Sequence, residues 1–408
     1  MKQLFIDRYF SILFLFTLIF GVLLYQTIGF TYTDELCTLA LFLFFIGVML
    51  KTPDWRFNKA FLFTLGVFAF YTLYSIWIGS NSKTGIFNDL VIQMKPYMAF
   101  FCVYQLMPVL SESRKKLLKE VALLFWVVFL LPVGITSLVY EKIFTVTMRH
   151  PLYYGISVTV VSLCYLYCSA YTWRDRIVFL VLLSLGIFCG RAKFYGFFAI
   201  SFFTMLFFAN ISRFRLNFKN SVLIVAMLGV MTLVAWNKIS YYFFQAIMGN
   251  SMVDEDTIAR FVLYRTFPEV LHDYFPFGSG LASFATYSSG EYYSELYTEY
   301  GIDIVWGISK QYHNFISDTY YPSLAQFGVA GIVLYLLFWV YILRKAFLYY
   351  QKTKDSQSFV IIILIVGFLA IEGTTAATFI AQGGFFVMMM TGLLLAGMKR
   401  NATSGNLK

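Results

Sequence analysis

Apolar residues run through this chain in long blocks separated by short polar joints. The blocks have the length that a helix needs to cross a hydrocarbon layer ~30 Å thick. In order, they predict spans at about 9–30, 36–50, 60–79, 89–110, 121–140, 152–171, 177–189, 194–211, 221–236, 322–342, 359–371 and 379–398. The expected fold is therefore all-α, a polytopic membrane protein with about twelve transmembrane helices. One stretch breaks the rhythm. From about Trp236 to Tyr321 the chain is polar and rich in tyrosine, with His272, His313, four basic and ten acidic residues. An interruption this long in a compact fold is functional or disordered, and its aromatic content argues against disorder. The chain divides accordingly: residues 1–236 with nine helices, a large, partly helical loop at 237–321 that carries the site, and residues 322–408 with three helices and a tail.

Composition agrees, since 60% hydrophobic and 13% charged residues leave too little polar surface for a water-soluble domain of this length. The first block lacks a small-residue cleavage site and reads as a retained helix, so the mature chain is expected to start near Met1. Cys37, Cys102, Cys164, Cys168 and Cys189 all lie in apolar blocks. Cys164 and Cys168 share a helix face, but no further ligand follows at zinc spacing, so they read as buried small hydrophobes and neither a disulfide nor a metal site is expected. The net charge of +10 acquires a meaning from its distribution: with a cytoplasmic N-terminus, 21 of the 31 Lys and Arg fall on the inside. That bias sets topology. Nucleic acid drops out as a partner, both termini are expected in the cytoplasm, and the loop faces the periplasm or cell exterior.

The remaining cations gather on that outer side: Arg149 and His150, Arg191 and Lys193, and Arg260, Arg265, Lys310 and His313. The block at 177–211 is broken by Gly190-Arg191-Ala192-Lys193. Counting from Arg176 at 1.5 Å per residue gives a rise of only ~22 Å, which puts Arg191 at or just beneath the outer boundary. An ordinary snorkelling arginine is the other reading. Lys95 lies six residues into the fourth span, before Pro96. An ammonium there costs a few kcal/mol unless it snorkels or meets water, a partner or a ligand. No acidic or basic residue lies near the middle of any expected span and no internal repeat is visible, unlike pumps and secondary transporters. The pattern suits an anionic headgroup held at the outer surface.

Within the loop, Asp254-Glu255-Asp256 favours a helix start at Thr257, and Pro268 ends or kinks that helix. Arg260 and Tyr264 share its face, while Arg265 lies about 140° away at 100° per residue. Pro276-Phe277-Gly278-Ser279-Gly280 reads as a turn rather than a phosphate cradle, because no lysine follows at P-loop spacing. Tyr287, Tyr292, Tyr293, Tyr297, Tyr300 and Trp306 are candidates for stacking on sugar rings, with an interfacial aromatic belt as the plainer account. His313 is a candidate general base, with Asp318 and His272 as rivals.

Three segments in sequence, GRAKFYG at 190–196, ARFVLYRTFPEVLHDYFPFGSGLASF at 259–284 and HNFISDTYYPSLAQFGVAGI at 313–332, resemble the O-antigen polymerase and O-antigen ligase superfamily. The similarity covers roughly residues 186–335. Arg260, Tyr264 and Arg265 match the family's loop-helix pattern, Pro276 to Gly280 its Pro-Gly turn with one residue fewer, and His313-Asn314 with Gly328 and Gly331 its closing motif. The His-to-Gly spacing is about one helical turn longer than the common form, which moves weight from His313 towards Asp318. The resemblance implies glycosyl transfer from an undecaprenyl-diphosphate-linked glycan, without metal or nucleotide cofactor, on the outer side of the bacterial cytoplasmic membrane. Arg191, Arg260 and Arg265 would stabilise the leaving diphosphate and His313 would deprotonate the acceptor, with inversion; Lys193, Lys95, Tyr264, Arg149, Asp318 and Lys310 would bind substrate. Membrane lipid and a chain-length regulator protein are the other implied partners. The Ser-Asp-x-Tyr-Tyr-Pro insert at 317–322 resembles exopolysaccharide polymerases and favours polymerase over ligase. A lipid-linked oligosaccharide flippase is the rival from another class, and it predicts a charge-lined cavity with the loop packed away from it. A structural scaffold predicts outer cations that do not converge.

Overall fold

The computed structural model describes residues 2–28, 32–52, 57–140, 142–208 and 255–404, with Val222 and Gly229. The expected ninth span and the loop up to residue 254 fall outside the described residues, those two positions apart. Among the described residues all regular structure is helical and no strand occurs. The longer helices are α1 (Lys2–Phe16), α2 (Thr33–Leu50), α3 (Lys59–Ile78), α4 (Lys83–Leu106), α5 (Glu112–Phe125), α6 (Pro151–Cys168), α7 (Trp173–Ser184), α8 (Ala192–Phe203), α9 (Glu255–Asp273), α10 (Gly328–Thr353), α11 (Ser356–Glu372) and α12 (Gln382–Ser404). Among the described residues, six helical stretches are long and apolar enough to cross a membrane: Lys2–Leu23, Thr33–Leu50, Lys59–Ile78, Glu112–Thr136, Pro151–Cys168 and Pro322–Thr353. The five cysteines are free, four of them buried.

The centre of the bundle is α12 packed on α4. From Gly383 to Ala396 every residue of α12 is buried, so the helix is apolar all round, as an interior helix must be. Gly392 lets the two backbones close up, because a Cβ there would lie 2.7 Å from the Phe100 carbonyl oxygen. Around this pair α2, α3, α6, α10 and α11 complete the core. Helix α4 starts at Lys83, well before the apolar block at 89–110, with the Ser82 hydroxyl accepting from the Gly85 N–H at its N-cap. Its added turns are polar because they carry the loop: the Asn88 side chain donates to Ser288, and Asp89 accepts the Ala282 N–H.

The loop has a core of its own, built from Ala259, Leu263, Val270, Phe284, Tyr297, Ile302, Ile308 and Ile316. Helix α9 continues through Pro268 to Asp273, where the sequence led us to expect an end or a kink. Proline removes one backbone donor, but Val270 on the far side is fully buried in the loop core and holds the last turns in place. Tyr297, read above as a sugar-stacking candidate, is instead part of that core: it is fully buried, with its hydroxyl 2.9 Å from the Ala285 N–H and 2.7 Å from the Ser289 hydroxyl.

The Pro-Gly turn joins loop to bundle. The Gly280 N–H donates to the Gln326 carbonyl at 2.9 Å, the Tyr74 hydroxyl to the Gly278 carbonyl at 2.9 Å, and the Leu281 N–H to the Ser75 hydroxyl at 2.7 Å. Its donors are consumed by protein, as a structural turn requires. Gly278 and Gly328 both have positive φ (82° and 63°), and each lies so close to the other's backbone that no Cβ fits. Gly301 also has positive φ (63°) but open space around it. Left-handed backbone costs about 1–3 kcal/mol at either site; only at Gly278 is a backbone clash added. Gly278→Ala is expected to melt several degrees below Gly301→Ala in detergent, and equal shifts in Tm would contradict the junction.

Candidate functional site

Pairing of charged groups shapes the end of the bundle that the loop covers. Asp34 and Glu35 sit in the first turn of α2, where the helix dipole favours acidic side chains. Lys95 reaches both from α4, with Nζ 2.5 Å from Asp34 Oδ2 and 2.6 Å from Glu35 Oε1. The Asp34 and Lys95 side chains are buried, and Gln382 at the start of α12 approaches the other Asp34 oxygen at 3.5 Å. Lys193, in the first turn of α8, pairs with Glu372, the last residue of α11, at 2.8 Å; the Thr378 hydroxyl donates to the same carboxylate oxygen. Arg260 on α9 pairs with Asp318 at 2.8 Å.

Arg191 differs. It caps α8 and approaches His150, its Nη2 lying 2.8 Å from His150 Nε2. His150 in turn caps α6, with Nδ1 3.2 Å from the Leu152 N–H. A neutral imidazole has one lone pair, so it can accept from only one of these two donors at a time. Arg191 is thus the described cavity cation that no carboxylate neutralises.

These groups line one cavity of about 1050 Å³. Lys95, Arg191, Lys193 and Arg260 all face it, and so do Glu35, His150 and Asp318. Arg191 and Arg260 both lie close enough to Lys193 for their charges to repel its own. The loop forms one wall through Ala285–Tyr287, Glu291–Tyr292, Asn314–Phe315 and Ser317–Thr319. A site with several convergent cations in a partly enclosed, low-dielectric space binds anionic oxygen strongly.

The other residues singled out from the sequence lie elsewhere. Tyr264 does not line the cavity but anchors its rim: its hydroxyl donates to the Thr374 carbonyl at 2.7 Å, and burial pushes that hydroxyl's pKa up. Arg265 is exposed, on the face of α9 turned from Arg260, as the 140° offset implies. Arg149 and Lys310 are exposed and outside the lining. His313 is half-buried behind the wall, packed against Gly290 with Nδ1 buried and unpartnered, while its neighbour Asn314 faces the cavity. His272 is on the surface beside Asp273, whose carboxyl it and the Tyr300 hydroxyl hold below the usual range. Of the aromatic candidates, Tyr287 and Tyr292 line the cavity; Trp306 stacks on Tyr312 at 4.2 Å.

The sequence reading missed Asp34, Glu35 and Glu372. Each stands at a polar joint beside an apolar block, with nothing local to mark its partner. Among the described residues no group of three or more His, Cys, Asp or Glu is arranged to hold a metal ion. No protein-family model matches this chain, and no curated protein matches it in sequence.

Removing one partner of a buried ion pair strands the other, at about 3–5 kcal/mol. Lys95→Met strands two carboxylates. It is expected to lower the denaturation midpoint markedly, whereas Lys310→Met at an exposed site stays within ~0.5 kcal/mol of the parent; comparable losses would show that the Lys95 cluster is not structural.

Proposed function

We propose that this chain is a glycosyltransferase that joins undecaprenyl-diphosphate-linked oligosaccharide repeat units into O-antigen or exopolysaccharide. It works on the outer side of the bacterial cytoplasmic membrane, from a bundle of twelve spans with both termini inside. The observation that carries this reading is convergence. Arg191 with Lys193, Arg260 and Asp318 come from three separate stretches of the chain, from bundle and loop alike, and meet on one cavity. A scaffold has no need of such convergence. A flippase would keep the loop away from the cavity, whereas residues 285–292 and 314–319 form its wall.

The mechanism follows from the pairing. Arg191, with no carboxylate to compete, is the first contact for the diphosphate, and Lys193 and Arg260 complete its cradle. As the diphosphate takes up Arg260, the Asp318 carboxylate is released from its ion pair and becomes available as a base. It accepts the proton of the acceptor hydroxyl while that oxygen attacks the anomeric carbon from the face opposite the diphosphate. The bond to the diphosphate breaks, its electrons leave with the phosphate oxygen, and the three cations stabilise the added charge. Configuration at the anomeric carbon inverts. Arg265 and His313 lie outside the cavity lining and take no direct part. The exopolysaccharide-like insert favours polymerase over ligase, and a chain-length regulator is the partner such a polymerase would meet.

Loss of one preorganised charge-stabilising group costs roughly 10²–10³ in rate. Arg191→Ala and Asp318→Asn are each expected to lose at least ~100-fold of transfer in reconstituted bilayers, with Arg265→Ala within ~threefold of the parent. Full activity in Arg191→Ala, or equal loss in all three, would refute the assignment.

A further inference from the structure

Asp89 is a buried carboxylate that the mechanism above does not use. It lies on α4 with no exposed surface. Its hydrogen-bond partners are neutral: the Ala282 N–H, 2.9 Å from Oδ2, and the side chains of Gln93, Gln326 and Thr286. Burying a carboxylate among neutral groups is costly. What it supplies is geometry, because a carboxylate only accepts and so gathers several donors on one point, where an amide would set its own N–H groups against them.

The backbone that Asp89 grips is strained. Gly278, Gly280, Ala282 and Ala285 all have positive φ (82°, 86°, 60° and 54°). Glycine enters that region freely, whereas alanine does so at a cost. Ala282 is held there by its N–H, which points to Asp89 Oδ2 and, at 3.1 Å, to Gln326 Oε1. Three residues on, the chain becomes cavity wall: Ala285, Thr286 and Tyr287 line the cavity, and Thr286 forms the capping box of the short helix Tyr287–Glu291. Thr286 therefore meets Asp89 on one side and the cavity on the other. Residues 285–292 contain no Lys, Arg or His, so the contacts of this stretch fall to the glycan and not to the diphosphate.

We propose that Asp89 is a positioning residue for glycosyl transfer. By holding Ala282 in the left-handed region it fixes where the wall at 285–287 stands, and with it the placement of the glycan against the reacting centre. Asp89 itself does not line the cavity. The inference rests on the glycosyl-transfer reading and adds to it a residue that touches no substrate.

The test uses the full chain in reconstituted bilayers, with a matched diphosphate-linked repeat unit as substrate and inorganic pyrophosphate as competitor. Asp89→Asn is expected to lower kcat/KM about 10–100-fold, the loss that a misplacement of ~1 Å brings, while inhibition by pyrophosphate, which reads the cavity cations, stays within ~threefold. A general loss of structure would weaken both together. Adding Ala282→Gly, which takes up positive φ unaided, should restore most of the transfer. Hydrogen exchange of the 280–290 amides reads the clamp without any activity, and it should quicken in Asp89→Asn with α12 unchanged. Gln326→Met removes the other acceptor of the Ala282 N–H and serves if Asp89→Asn does not fold, with shifts in the same direction. Unchanged transfer in the folded variant, pyrophosphate inhibition that falls in step with transfer, or no rescue by Ala282→Gly would overturn the assignment. The two readings fail separately: transfer that does not depend on Asp89 loses the positioning role alone, and a chain that shows the exchange pattern but forms no bond loses the transferase reading.

Discussion

Charge placed in an apolar bundle must be paired, and the architecture of this protein follows from how that is met. Lys95 with Asp34 and Glu35 ties α4 to α2; Lys193 with Glu372 ties α8 to α11; Arg260 with Asp318 ties two distant parts of the loop. All three pairings stand at the loop-covered end of the bundle. Lys95, Glu35, Lys193, Arg260 and Asp318 from these pairs line one cavity at that end. The same pairs set its electrostatics, because each cation that meets a carboxylate is partly neutralised by it. Arg191, matched to an imidazole, keeps its own.

The loop is a second consequence. In its described part, residues 255–321, a core of its own and the Gly278–Gly328 contact pack it onto the bundle. The proposed transfer between two large glycans would need such positioning. Arg260 and Asp318 are held near the bundle cations with the help of the turn at 276–282, whose backbone is hydrogen-bonded by the side chains of Tyr74, Ser75 and Asp89 on α3 and α4.

Much of this was legible in the sequence. The apolar blocks marked the helices because burial in hydrocarbon or core demands them, and the break at Gly190-Arg191 showed as the end of one helical stretch and the start of α8. The separation of Arg265 from Arg260 followed from the helical period. Partners were not legible. Lys95 meets residues 60 and 61 positions away and Lys193 one 179 away, and no local pattern encodes such contacts. The extra turns of α4 were missed because the polar stretch from Lys83 to Asn88 reads as a joint before the span, when Asn88 is polar so as to meet the loop. His313 showed as a motif, but its packing against Gly290, on the short helix Tyr287–Glu291, did not. The carboxylates Asp34, Glu35 and Glu372, each near a span boundary, were missed although they pair with the lysines that line the cavity.

The most direct test of the account is to incubate the purified, bilayer-reconstituted protein with a matched diphosphate-linked repeat unit and separate the products on a gel. The account predicts a ladder of repeats. Transfer only on addition of a lipid A core would make the protein a ligase, and substrate crossing the bilayer with no bond formed would contradict the central claim.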